Sequence, residues 1–194
     1  MNDFIAQRVR SLRTAEKLSL EALADKSGVS RSMISLIERG ESSPTAVVLE
    51  KLATALSVPL YSLFAAPADD AAPKKNSPLA RRADQMQWQD PASGYLRRNV
   101  SPPGLPQSVQ IVEVHFPPGG RVAFENGGHH ARVQQQVWLL SGVIEITVGE
   151  VCHRLQEGDC LAMQLDLPTM FHNPTRKPAR YALTIASEPP STRP

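Results

Sequence analysis

Cysteine is nearly absent from this sequence. Cys152 and Cys160 are the only two, and two cysteines cannot build the multi-bridge framework of a small secreted scaffold. A large net charge is lacking as well: 21 basic against 19 acidic residues leave a formal +2. Nothing in the overall composition therefore attracts a polyanion, and any binding to nucleic acid requires a local arrangement of charge. No run approaches the roughly 18 consecutive apolar residues that span a bilayer. The opening, MNDFIAQRVRSLR, is amphipathic, carries an acid and lacks the apolar stretch of a signal peptide. What remains is the expectation of a cytoplasmic globular protein. Its 41% hydrophobic and 21% charged residues suit that class, and 194 residues suffice for two small domains or one large one.

Two kinds of text follow one another along the chain. Before Ala65 the pattern is helical: Phe4, Ile5, Val9 and Leu12 recur at helical spacing, and neither Pro nor Gly interrupts before Gly28. From Ala66 to Pro78 the stretch APADDAAPKKNSP has no apolar periodicity and reads as a linker. Beyond it the signals are those of strands. Val109–Phe116 is β-branched and ends at Pro117-Pro118-Gly119-Gly120; Val137–Leu140 and Val143–Val148, separated by Ser141-Gly142, read as a hairpin; Tyr181–Ala186 is a further strand. The expected organisation is a helical domain over 1–65, a linker over 66–78 and an antiparallel β domain over 79–190. Residues Leu79–Ser108 carry no readable signal.

Caps divide the first domain. A helix runs from about Asp3 to Ala15. Ser19 is an N-cap for Leu20–Lys26, and Gly28 permits a left-handed turn. Ser30 caps a third helix, Arg31–Arg39, which Gly40 ends. Pro44 and Thr45 begin a fourth, carrying Val48, Leu49, Leu52, Ala53 and Leu56, and Pro59 opens a short fifth with Leu60, Leu63 and Phe64. Two short helices joined by a Gly-containing turn form a helix-turn-helix, whose second helix can enter the major groove. Arg31, Ser32 and Ser35 are the polar residues near that end, while Met33, Ile34 and Ile37 are expected to pack inward or against the preceding helix. Arg39, Arg13 and Arg8 are candidates for phosphate contact, Ser19 and Ser30 at the helix starts join Arg31, Ser32, Ser35, Arg39 and Arg13 as the expected DNA-binding residues, and Glu38 is expected to hold the fold by a salt bridge or cap.

The run LSLEALADKSGVSRSMISLIERGESSPTAVVLEKLATALSVPLYSLF resembles the XRE family of lambda-repressor-like helix-turn-helix regulators over the whole first domain. Leu20 departs from it, standing where the family often has Gln. The resemblance implies a five-helix all-α domain, a double-stranded DNA operator as partner and a homodimer.

The second domain resembles a cupin, an all-β jelly-roll barrel. Gly158 and Asn173 match the ends of the family's motif G-x5-P-x-G-x2-H-x3-N, and Gly142 matches the glycine of E-x6-G. In metal-binding cupins two His, a Glu and a later His hold one divalent ion. Here the Glu position is Gln135 and the last His position is Thr169. The H-x-H pair falls on His129 and Ala131 or on Gly128 and His130, and the motif's Pro and Gly fall on Gln164 and Asp166. A neutral amide and a hydroxyl do not replace carboxylate and imidazole in a tight site, so no metal, no cofactor and no enzymatic activity is expected. A site outside the family pattern, from His129, His130 and His172, stays open. The barrel is expected to bind a small-molecule effector, with His130, Gln135, Trp138 and Thr169 as candidates, or to serve in dimerisation alone. Trp138 has a second reading as core. His115 and His153 read as surface or satisfied residues, and Cys152 and Cys160 as small buried hydrophobes.

Overall fold

The computed structural model describes residues 2–64, 77–103, 105, 108–126 and 133–187. Four α-helices come first: α1 (Asn2–Ala15), α2 (Leu20–Ser27), α3 (Arg31–Glu38) and α4 (Ala46–Ala55). The expected fifth helix is a 3-10 turn, Leu60–Phe64, so the bundle has four α-helices rather than five. Ser19, Ser30 and Thr45 each accept a hydrogen bond from a backbone N–H three residues on, at 3.0–3.3 Å, which satisfies one of the donors that a helix start leaves orphaned. Ile5 and Val9 of α1, Leu23 of α2, Ile34 and Ile37 of α3 and Leu49 and Leu52 of α4 are buried together with Leu63 and Phe64. Met33 departs from expectation: it sits at the solvent side of α3, 37% exposed, because Ile34 and Ile37 already occupy the inward stripe.

Ten strands follow among the described residues: β1 (Gln87–Gln89), β2 (Leu96–Asn99), β3 (Val109–Phe116), β4 (Arg121–Phe124), β5 (Val133–Ser141), β6 (Val143–Val148), β7 (Val151–Gln156), β8 (Cys160–Gln164), β9 (Thr169–His172) and β10 (Ala179–Ser187). They form two antiparallel sheets, ordered β1-β2-β3-β10-β5-β8 and β4-β9-β6-β7. Strands β3 to β10 follow the double Greek-key order of a jelly roll, the barrel expected of a cupin, and the chain changes sheet at every connection except the β6–β7 hairpin. Alternation decides which side chains fill it. In β5, Val133, Val137 and Leu139 are buried, whereas Gln134, Gln136 and Trp138 are exposed.

The hairpin expected across Ser141-Gly142 does not exist. Strand β5 pairs with β10 and β8, and β6 pairs with β7 and β9, so Gly142 is a corner where the chain passes from one sheet to the other. Its φ of 87° is left-handed, and a Cβ there would come within 2.7 Å of the Pro178 carbonyl oxygen. A turn dipeptide between apolar runs specifies a reversal, and does not specify whether the runs then pair.

The segment without a readable signal supplies the β1–β2 hairpin, which widens the first sheet and docks the helical bundle. Asp90 Oδ1 accepts the buried backbone N–H of Ala46 at the start of α4 (2.9 Å), and Asn99 Nδ2 donates to the Phe64 carbonyl (2.9 Å). Trp88 lies against Phe64 with ring centroids 5.4 Å apart. The bundle and barrel cores are thereby continuous.

Candidate DNA-reading helix and barrel cavity

The start of α3 is open. Arg31, Ser32 and Met33 are exposed, and Ser35 is half-buried. Ser30 Oγ caps the helix and lies 3.2 Å from Ser32 Oγ. Arg39 reaches back along the helix, with Nη1 donating to Ser35 Oγ (2.7 Å) while Nε and Nη2 grip the Glu41 carboxylate at 2.8 Å each. That carboxylate raises the arginine's pKa through its hydrogen bond and is itself lowered.

Two arginines singled out in the sequence turn inward instead. Arg13 donates through Nε and Nη2 to the two Glu38 oxygens (2.6 and 2.8 Å) and through Nη1 to the Leu18 carbonyl, leaving 14% of its side chain exposed. Arg8 Nε donates to the Ser62 carbonyl. The fork of Arg13 is used up in tying α1 to α3, which makes it a fold residue. Glu38 is its salt-bridge partner, as expected.

Inside the barrel is a cavity of about 70 Å³. Barrel side chains make its walls: Tyr95, Arg97, Phe116, Gln135, Thr169, Phe171 and Tyr181 among them. Its roof belongs to the helical bundle: Glu50 and Ala53 of α4, with Pro59, Leu60 and Tyr61. Roof and wall are joined by a buried hydrogen bond, Asn126 N to Glu50 Oε1 (2.8 Å), and Asn126 Nδ2 donates to Thr169 Oγ1 (2.8 Å) and to the Leu167 carbonyl (3.0 Å). Desolvation raises the pKa of Glu50, against the lowering effect of the Asn126 and Glu125 backbone N–H groups. A second, more open crevice between α4 and the β4–β9 edge shares Glu50, Phe124 and Thr169 with the cavity. Those three side chains are the partition between the interior and the crevice.

Of the residues expected in the barrel site, Gln135 and Thr169 line the cavity. Trp138 does not: it stands on the outer face of the first sheet, 53% exposed, because its place in β5 is out of phase with Val137 and Leu139. His129 and His130 lie outside the described residues. His172, out of phase with the inward Thr169 and Phe171, faces Glu145 on β6, with Nδ1 3.2 Å from Oε2. Among the described residues no three His, Cys, Asp or Glu side chains are placed to hold a metal ion together. Cys152 and Cys160 are exposed thiols, contrary to the burial expected of them. Asn173 is fully buried and works as a turn former, its Oδ1 accepting from Thr175 N and its Nδ2 donating to the Lys177 carbonyl.

Sequence reasoning missed Glu50, Asp90, Tyr95, Arg97 and Asn126. The signal available for some of them was alternation: if 87–99 is a hairpin, Trp88, Tyr95 and Arg97 share one face. Trp88 and Arg97 are in fact cross-strand partners.

Comparison with known proteins places these observations. Residues 9–63 match the helix-turn-helix family HTH_3. The chain is 29% identical over 173 residues to the HTH-type transcriptional regulator SutR of Escherichia coli, covering 88% of this chain and 87% of that one. It is 38% identical over 61 residues to the HTH-type transcriptional regulator SinR of Bacillus subtilis, covering 31% of this chain and 55% of the relative. A crystal structure of an HTH_3 family transcriptional regulator from Vibrio cholerae superposes with a TM-score of 0.71 at 25% identity, over 97% of each chain. No helix among the described residues is long and apolar enough to cross a membrane. The capped helices, the open start of α3 and these matches agree: residues 9–63 are a helix-turn-helix domain that matches the HTH_3 family, carried on one chain with a jelly-roll barrel.

Proposed function

We propose that this chain is a sequence-specific, DNA-binding transcriptional regulator of the cytoplasm, and that the cavity of its barrel receives a small-molecule effector. One observation carries the second half: the cavity is walled by the barrel and roofed by the helix-turn-helix domain. A ligand inside touches both, so it can favour one arrangement of the two over another, which is the physical condition for changing DNA affinity. The route does not depend on the Pro-rich stretch 66–78. It runs through Glu50, Asp90 and Asn99, whose hydrogen bonds cross directly between bundle and barrel.

For DNA, Arg31 and Ser32 at the open start of α3 are the base-reading candidates, with Ser35 beside them, and Arg39 is a phosphate candidate once Glu41 releases it. Arg31→Ala is expected to weaken operator binding by about 1–3 kcal/mol if the side chain makes a bidentate base contact, with the fold unchanged. A gel-shift series showing wild-type affinity for this variant removes Arg31 from the reading set. The outer face of the first sheet, with Trp138, Ile111 and Val109 exposed, supports a homodimer. Two such copies would present two α3 helices to half-sites about one DNA turn apart. Trp138→Glu should then yield a monomer by sedimentation.

The competing reading is a metal-dependent cupin enzyme. Gln135 and Thr169 argue against it, since the neutral amide and hydroxyl line the cavity where that chemistry requires carboxylate and imidazole. The named relatives are transcriptional regulators. The deciding experiment is a thermal-shift screen of metabolites on the full chain, followed by operator affinity with and without each binder. Couplings of about 1–3 kcal/mol, some 5–150-fold, are typical. A set of cavity binders that all leave DNA affinity unchanged refutes the sensor.

A further inference from the structure

The most unusual residue in the cavity wall is Arg97. It is 6% exposed, and its Nε and Nη2 donors have no hydrogen-bond partner. Its neighbour Arg98 points to the other face of β2 and pairs with the buried Glu113. Arg97 instead has the ring of Phe64, 4.6 Å from its guanidinium carbon, and the phenols of Tyr95 and Tyr181 nearby. Stacking on Phe64 uses the face of the guanidinium and leaves its N–H groups unsatisfied. A buried charge without hydrogen bonds is costly, and burial accordingly pushes the arginine's pKa down. The other charged group among the described residues of the cavity, Glu50 on the roof, is engaged by the Asn126 backbone N–H.

The unpartnered pair has a defined complement. Nε and Nη2 form one edge of the guanidinium, and elsewhere in this molecule the same two atoms grip a carboxylate: Arg13 holds Glu38 that way, and Arg39 holds Glu41. Two parallel N–H donors match the two oxygens of a carboxylate. Apart from the neutral polar side chains of Asn126, Gln135 and Thr169, the remainder of the described wall is apolar or aromatic, with Phe116, Phe171 and Leu183. The space is small: about 70 Å³, against roughly 10–15 Å³ for one water by this measure, leaves room for about five to seven water-sized groups.

We infer that the cavity is a receptor for a short-chain organic carboxylate, with Arg97 as the anion-binding residue. This rests on the effector reading above and specifies its chemistry. The carboxylate docks on the edge of Arg97, and its hydrocarbon body lies among the aromatic rings beneath the α4 roof. Filling the site satisfies the orphaned donors while the ligand also touches the helix-turn-helix domain.

The test uses the full chain and a panel of defined probes in thermal-shift assay and calorimetry: acetate, propionate and isobutyrate as sodium salts; propionamide and isobutyramide as neutral isosteres; isopropylamine as a cation; sulfate and phosphate as inorganic anions. Carboxylates should bind, and their amides should bind about ten- to hundredfold more weakly, the range expected for losing hydrogen bonds to a charged group. Arg97→Met should abolish that preference. It should also leave the unliganded protein folded, because it removes an uncompensated charge. If Arg97→Met does not fold, Arg97→Lys, which keeps the charge and loses the fork, should weaken carboxylates selectively, and the carboxylate-to-amide ratio of the unaltered protein still decides. Equal binding of amides or amines, unaffected at Arg97, overturns the assignment and leaves the effector cavity standing. Response to sulfate or phosphate alone overturns the organic acid in favour of an inorganic oxyanion. Silence of the whole panel overturns both the assignment and the cavity as an effector site.

Discussion

The helical bundle and the barrel are closed by different kinds of contact. Three helices of the bundle start on a side chain three residues from the N–H it caps, Ser19, Ser30 and Thr45. The central strand of the barrel is held by distant partners: β10 pairs Tyr181 with Val114 on one side and Leu139 on the other. Local caps need no loop closure, whereas such pairings must close long loops before they reward the chain. The bundle is therefore sensitive at its ion pairs and caps, and the barrel at the corners where the chain changes sheet. Where the two meet, the distinction lapses. Asp90 caps α4 from 44 residues away, and Glu50 accepts from Asn126 across 76. The helix-turn-helix domain is completed by the barrel it sits on.

The sharpest way to break this comparison is at two glycines with the same backbone handedness. Gly142→Ala should destabilise by about 2–5 kcal/mol, combining a left-handed non-glycine residue with overpacking against Pro178 and Ala179. Gly28→Ala, at φ 68° with nothing within 4 Å of the new Cβ, should cost only about 1–2 kcal/mol. Urea denaturation of the two variants side by side measures the difference. Equal losses would mean that the barrel corner carries no special packing constraint.

Next in size is the ion pair within the bundle. Arg13→Ala leaves Glu38, with 7% of its side chain exposed, without its partner, and should cost about 2–3 kcal/mol. Arg31→Ala should change stability by no more than about 0.5 kcal/mol. Thermal melts of the pair separate an arginine that holds the fold from one available to DNA. Asp90→Ala should cost about 1–3 kcal/mol by orphaning the buried Ala46 N–H. Its signature is local: hydrogen exchange should rise in the first turn of α4, while the first turns of α2 and α3, capped by Ser19 and Ser30, stay protected.

These contrasts also explain how much was legible in the sequence. The helices were readable because caps and apolar spacing are local: α2 and α3 begin at the expected N-caps, Ser19 and Ser30, and α4 begins at Ala46, one residue after Thr45. Four strands, β3, β5, β6 and β10, were readable as strands, but their partners were not: Ser141-Gly142 looks the same whether the flanking strands pair or part. Gln135 and Thr169 were reached by motif spacing and do line the cavity. Trp138 was grouped with them because the strand was expected to begin only at Val137; with β5 running from Val133, Gln135 and Trp138 stand three residues apart and point to opposite faces. Arg97 was invisible for a related reason. An arginine pair in a segment without periodicity reads as solvated charge, and only the hairpin's docking against Phe64 buries one of the two without a partner.

The smallest expected effect concerns the roof itself. Glu50 is held above its ordinary carboxylate pKa of 4.5, first by desolvation and further by the nearby Glu125, against the backbone N–H groups of Asn126 and Glu125 and the charge of Lys51. Below that ordinary value Glu50 is protonated in folded and unfolded chains alike and favours neither. As pH rises from there toward the raised folded value, the unfolded chain releases its proton first. The unfolded state then binds fewer protons than the folded one, so this group lowers stability with rising pH. Glu50→Gln keeps a side-chain oxygen for the Asn126 N–H and removes the charge. The variant should lose this downward trend above the ordinary carboxylate range and be at least as stable as the parent at neutral pH. Melting temperatures of parent and variant across pH 4 to 8, in one buffer of constant ionic strength, test it. Parallel curves would mean that the roof carboxyl stays solvated through the crevice beside α4, and that the barrier of Glu50, Phe124 and Thr169 is open to water.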